Sequence, residues 1–176
     1  MNNIIQTIRH TARAAAVLLL SVLTTMTAWA NDAVTYIDEN GVTQTVTDYY
    51  ALTGSETPDG NGRVVLIQDV VVVNSNVTYD QKGLNLNARS GNEIKLILCD
   101  GCTLTINSNS NDFRQVVVSK NLTIYGQTNN SGKLVVNASN QTAIHAGDMD
   151  KHVTVTVNGG TVESTSTHNY GRGLTC

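Results

Sequence analysis

The 176-residue chain contains one proline, one phenylalanine and one tryptophan, and its eleven Lys and Arg residues never gather into a cluster. With fourteen Asp and Glu residues the formal net charge is −3. A mildly acidic chain without a basic patch argues against nucleic acid and against anionic membrane surfaces as partners. No segment beyond the N-terminal thirty residues carries a sustained helical period, so no helix is expected there. No apolar run in that region is long enough to span a bilayer.

Residues 1–30 read differently from the rest. Arg9 and Arg13 stand in a segment without acids, residues 14–23 are apolar, and Ala28-Trp29-Ala30 closes the segment. This is the three-part pattern of a secretory signal peptide with cleavage after Ala30, which predicts a secreted or cell-surface protein. After cleavage nine bases would face fourteen acids, a net charge of −5. The remainder is rich in Val and Thr, which suit pleated surfaces, and in Asn and Gly, which suit tight turns. An all-β protein of many short strands follows from that composition.

Residues 34–48, VTYIDENGVTQTVTD, alternate on both sides of Asn40-Gly41. That dipeptide tolerates the positive φ angles of a type I′ turn, so an N-terminal β-hairpin is expected. A connector at residues 53–62 completes a cap region over residues 31–62. From residue 63 the chain breaks into short apolar-alternating segments separated by Asn, Gly, Ser and Asp. Leu104-Thr-Ile-Asn, Leu122-Thr-Ile-Tyr and Val155-Thr-Val-Asn are one phrase, and Gly132-Lys-Leu matches Gly160-Thr-Val. Loose repetition of strand-turn units marks a solenoid whose coils bury their faces by stacking. A parallel β-helix over residues 63–176 is the expected fold, with a β-sandwich as its rival. Leu96, Leu98, Leu104, Ile106, Leu122, Ile124, Val155 and Val157 are expected to point inward.

Cys99-Asp100-Gly101-Cys102 interrupts two of these strands. A redox dithiol needs its first cysteine at a helix N-terminus, and strands flank this one. A zinc site needs a second knuckle, and His145, His152, His168 and Cys176 are not spaced as one. The pair is expected to form a strand corner whose thiols pack or close a disulfide between Cys99 and Cys102.

These phrases, with Leu96-Ile-Leu-Cys-Asp-Gly-Cys-Thr-Leu-Thr105 and the entry Tyr36-Ile-Asp-Glu-Asn-Gly-Val-Thr-Gln44, resemble secreted bacterial right-handed parallel β-helix repeat proteins of the carbohydrate-binding-domain type. The likeness covers most of residues 34–174. It implies an extracellular or cell-surface module that binds polysaccharide, with calcium in some relatives. Those relatives continue through further coils, so a chain truncated at its C-terminus is expected.

No catalytic constellation stands out, and the chain is read as a non-enzyme. Asp148 and Asp150 in the loop GDMDKH are the calcium candidates, with Asp80, Asp100 and Asp112 in other loops; a solvated polar loop is the competing reading. Among Tyr49, Tyr50, Tyr79, Tyr125 and Tyr170, the candidates to stack on sugar rings are Tyr79, Tyr125 and Tyr170, against burial at coil ends. The expected function is binding of extracellular polysaccharide or a host or cell-surface glycan. The alternatives are a structural or adhesive repeat protein without a ligand and, third, a polysaccharide lyase-like enzyme.

Overall fold

Asp38 decides the shape of the first element. Strands β1 (Val34–Ile37) and β2 (Thr43–Val46) pair antiparallel with Ile37 opposite Thr43. In the loop between them Gly41 has φ 77°, whereas Asn40 is not at positive φ. The Gly41 N–H donates to the Asp38 carbonyl at 3.0 Å, and Asp38 N–H donates to the Val42 carbonyl at 2.9 Å. This is a three-residue loop with glycine in the left-handed position, not the two-residue type I′ turn expected from Asn-Gly. The physical reason is the Asp38 carboxylate. Its Oδ1 accepts the N–H groups of Asn40 at 3.0 Å and Val42 at 2.8 Å, stabilising the longer loop.

The computed structural model describes residues 31–108, 114–139, 142–147, 153–167 and 171–175. Residues 1–30, read from sequence as a signal peptide, lie outside these residues, as do Asp112, Asp148, Asp150, His152, His168, Tyr170 and Cys176. Ala33–Cys176 form one compact unit. Among the described residues no helix is long and apolar enough to cross a membrane.

Beyond the hairpin the chain visits three parallel sheets in rotation. The first holds β4 (Arg63–Ile67), β7 (Gly83–Asn87), β10 (Arg114–Val118), β13 (Thr142–Ala146) and β16 (Leu174–Thr175). The second holds β3 (Tyr50–Ala51), β5 (Val70–Val73), β8 (Glu93–Leu98), β11 (Asn121–Gly126) and β14 (Val155–Val157). The third holds β6 (Val77–Asp80), β9 (Thr103–Ser108), β12 (Lys133–Ala138) and β15 (Thr161–Ser166). Each of these neighbours pairs in parallel, so the fold is a parallel β-helix and not a sandwich.

Stacking puts like residues over like. Val77, Leu104, Leu134 and Val162 form one inward column, and Tyr79, Ile106 and Val136 form another. Ile94, Leu122 and Val155 stack on the second sheet, beside Leu96, Ile124 and Val157. Of the residues expected to face inward, Leu96, Leu98, Leu104, Ile106, Leu122 and Ile124 are buried, and Val155 packs on the core half-buried. Val157 remains 50% exposed, because β14 is an edge strand with Ile124 on one side only.

One sequence equivalence needs correction. Leu104-Thr-Ile belongs to the third sheet and Leu122-Thr-Ile to the second, so the two phrases are not stacked copies. Leu104 sits on Leu134, and Leu122 sits on Ile94 and Val155. Apolar-Thr-apolar is simply what any strand with a buried and a wet face looks like. The match of Lys133-Leu134 with Thr161-Val162 is a true register pair. The glycines at its corner are required by close approach. A Cβ on Gly126 would lie 2.7 Å from Gly160 N, and one on Gly132 would lie 2.6 Å from the Leu98 carbonyl oxygen.

The polar residues stack as well. Asn107 Nδ2 donates to Asp80 Oδ1 at 3.0 Å, and Asn137 Nδ2 donates to Asn107 Oδ1 at 2.9 Å. Stacked coils thus carry a short polar ladder on their outer face.

Candidate functional site

Strands β5 and β8 break the in-out alternation, and that break leads to the site. Val71, Val72 and Val73 are all buried, as are Leu96, Ile97 and Leu98. Alternate members face the solenoid core. Val72 and Ile97 face outward, where a second apolar cluster covers them: Val34 and Tyr36 of the hairpin, Cys99 and Tyr125. The hairpin therefore lies against the outer face of the second sheet. Gln127 Nε2 ties it down by donating to the Thr35 carbonyl at 2.8 Å.

Where the apolar contact ends, an open cleft of about 460 Å³ begins. The hairpin contributes Tyr36, Asp38, Glu39 and Gln44, and the sheet contributes Glu93, Lys95, Thr123, Tyr125, Thr156 and Asn158. Lys95, Thr123 and Thr156 occupy one register row across β8, β11 and β14. Strand spacing sets such hydrogen-bonding groups about 4.7–4.9 Å apart.

The floor is aromatic. The rings of Tyr36 and Tyr125 are tilted at 55° with centroids 4.7 Å apart. Lys95 Nζ lies 5.6 Å from the Tyr36 centroid and 5.8 Å from that of Tyr125, and it donates to the Tyr36 hydroxyl at 3.3 Å. Burial works against the charge of Lys95, but the contact with Tyr36, reinforced by Tyr125 and Glu93, outweighs it and raises its pKa. Lys95 therefore stays an ammonium at neutral pH. Burial raises the Tyr125 pKa, so that hydroxyl remains a proton donor. Hydrogen bonds from the Val42 N–H and from Gln44 hold the Asp38 carboxyl below its usual range. Thr123 Oγ1 donates to Glu93 Oε1 at 2.6 Å.

Of the described tyrosines read from sequence as sugar-stacking candidates, only Tyr125 belongs to the cleft; Tyr170 lies outside the described residues. Tyr125 is 4% exposed, its ring packed against that of Tyr36, so it offers little open face for stacking. Tyr79 is fully buried in the solenoid core and offers no ring face to a sugar. Its hydroxyl donates to Glu56 Oε2 at 2.6 Å. Glu56 belongs to the connector and gathers this end of the fold, its Oε1 accepting Thr53 N–H at 2.8 Å and Tyr50 hydroxyl at 3.4 Å.

Cys99 and Cys102 form the expected corner between β8 and β9. Cys102 N–H donates to the Cys99 carbonyl at 3.0 Å, with Gly101 at φ 73°. Both thiols are free. Burial, with Cys102 and Asp100 nearby, pushes the Cys99 thiol up to about 11, and burial also raises Cys102. Such thiols are poor nucleophiles at neutral pH.

Of the aspartates read from sequence as calcium candidates, Asp80 and Asp100 are described, and both are engaged in hydrogen bonds between coils. Asp100 accepts the N–H groups of Asn129 at 3.0 Å and Ser131 at 3.1 Å, tying one corner to the next. Asp80 holds the asparagine ladder. No three His, Cys, Asp or Glu residues come together as a metal site among the described residues. The remaining cleft residues escaped sequence reading because hairpin and sheet are far apart in the chain. The available signal was the unbroken Val70–Val73 run, which marks a strand covered on both sides. No protein-family model, curated protein or solved structure matches the chain.

Proposed function

We propose that the chain is an exported, non-catalytic module that binds polysaccharide in the hairpin cleft. The observation that carries this reading is the cleft itself: a concave, solvent-open surface with planar amide and carboxylate groups above an aromatic floor. Sugar hydroxyls both donate and accept, so they are matched by Gln44, Asn158, Glu93, Thr156 and the Lys95 ammonium. Pockets with few convergent polar groups over apolar walls are the usual form of a small-ligand site. The likeness of the sequence to secreted bacterial β-helix repeat proteins supports the same reading, as does the signal-like N-terminus. A second reading, a stiff adhesive spacer, is favoured by the interlocked corners of Asp100 with Asn129 and Ser131.

Polysaccharide pull-down and glycan-array binding by the purified protein, in calcium and in chelator, separate the two. Binding that falls about tenfold on Thr156→Ala with Asn158→Ala, at unchanged melting temperature, supports the cleft. Binding that chelator abolishes, and that Asp148→Ala with Asp150→Ala weakens, would move the site to that loop. A folded protein that binds no glycan is a spacer.

A further inference from the structure

Resting on the reading of the cleft as a glycan site, we propose that it selects amine-bearing polysaccharide, a polymer of 2-amino sugars, over neutral and uronic acid chains. Three carboxylates line the cleft, Asp38, Glu39 and Glu93, against one cation, Lys95. They are not equally engaged. Asp38 is committed to its loop, accepting from Asn40, Val42 and Gln44. Glu93 accepts from Thr123 through Oε1, and among the described residues Oε2 has no partner. Glu39 is exposed at the hairpin tip, with no hydrogen bond or ion pair among the described residues.

Lys95 does not neutralise these acids by contact. Its ammonium is directed to the Tyr36 hydroxyl and lies near two rings, and it makes no ion pair within the described residues. The cleft thus holds its one ammonium on its own aromatic floor rather than on its acids. It retains unpaired carboxylate oxygens at its rim. A ligand amine entering beside Glu93 and Glu39 gains charge-assisted hydrogen bonds. A uronate there meets like charge, and an N-acetylated sugar gains neither effect.

The test is calorimetric titration of the purified protein with a fully deacetylated glucosamine oligomer, its N-acetylated counterpart and an oligogalacturonate. It is run at low ionic strength and at about 0.15 M salt, where exposed charges are screened. The amine oligomer should bind roughly tenfold more tightly than the acetylated one at low salt, with the margin narrowing as salt rises. Glu93→Gln keeps an acceptor for Thr123, and Glu39→Gln changes only the exposed tip. Glu39→Gln should weaken the amine oligomer by about threefold to tenfold and leave the acetylated oligomer unaffected, and Glu93→Gln should weaken the amine oligomer several-fold more than the acetylated one, each with melting temperature unchanged. Equal binding of both glucosamine oligomers, with both variants silent, overturns charge selection and leaves the glycan reading standing. Tightest binding of the galacturonate also overturns it. Failure of every oligomer to bind a folded protein overturns the glycan reading beneath it.

Discussion

Tyr79→Phe deletes one oxygen from the interior and keeps the ring. The ring is 0% exposed, and its hydroxyl donates to Glu56 Oε2 at 2.6 Å. A hydrogen bond to a charged acceptor contributes about 1.5–3 kcal/mol, and phenylalanine preserves the packing, so unfolding free energy should fall by about 2 kcal/mol. Burial pushes the Glu56 carboxyl up, but hydrogen bonds from Tyr79 and Thr53 outweigh it and leave its pKa lowered. A carboxyl depressed in the folded state stabilises above its unfolded pKa, about 4.3, and loses that contribution as pH falls through the folded value. The cost of Tyr79→Phe should therefore be full at neutral pH and shrink below about pH 4. Urea unfolding of both proteins across this range measures it, and Glu56→Gln in a double-mutant cycle isolates the charge. No destabilisation at neutral pH, or a cost that persists undiminished in acid, would refute the argument.

Two further substitutions probe the hairpin side. Ile97→Ala removes a fully buried side chain from the outer face of the sheet and should cost about 2–4 kcal/mol in urea unfolding, as a core position does; a surface-like cost below about 0.5 kcal/mol would show that the hairpin does not cover it. With the Cys99 thiol raised to about 11 and Cys102 raised as well, both should alkylate far more slowly in the native protein near neutral pH than in urea. Rapid native labelling would contradict that burial. Replacing both cysteines with serine should lower stability and leave glycan binding intact.

Much of the fold was legible because a solenoid is local. Each coil alternates apolar and polar residues and turns on Asn or Gly, so strands and corners could be read from neighbouring residues. The Cys99–Cys102 corner and the buried set from Leu96 to Ile124 are of this kind. The Asn40-Gly41 loop was misread because a side chain just outside the dipeptide, Asp38, competed for its backbone N–H groups. The Leu104 and Leu122 phrases were equated because alternation reports that a strand has two unlike faces, not which sheet it joins.

The sequence by itself determined that the chain beyond residue 30 is all-β, opens there with a hairpin and continues as short strand-turn units, because periodicity and turn chemistry act over a few residues. Only the tertiary structure decided where the hairpin docks. Laying β1 and β2 on the outer face of the second sheet buries Val72 and Ile97, puts Tyr125 at the cleft floor, and brings Asp38, Glu39 and Gln44 opposite Glu93 and Lys95. Those residues are separated by about fifty positions or more of chain, and only burial of a shared apolar surface joins them.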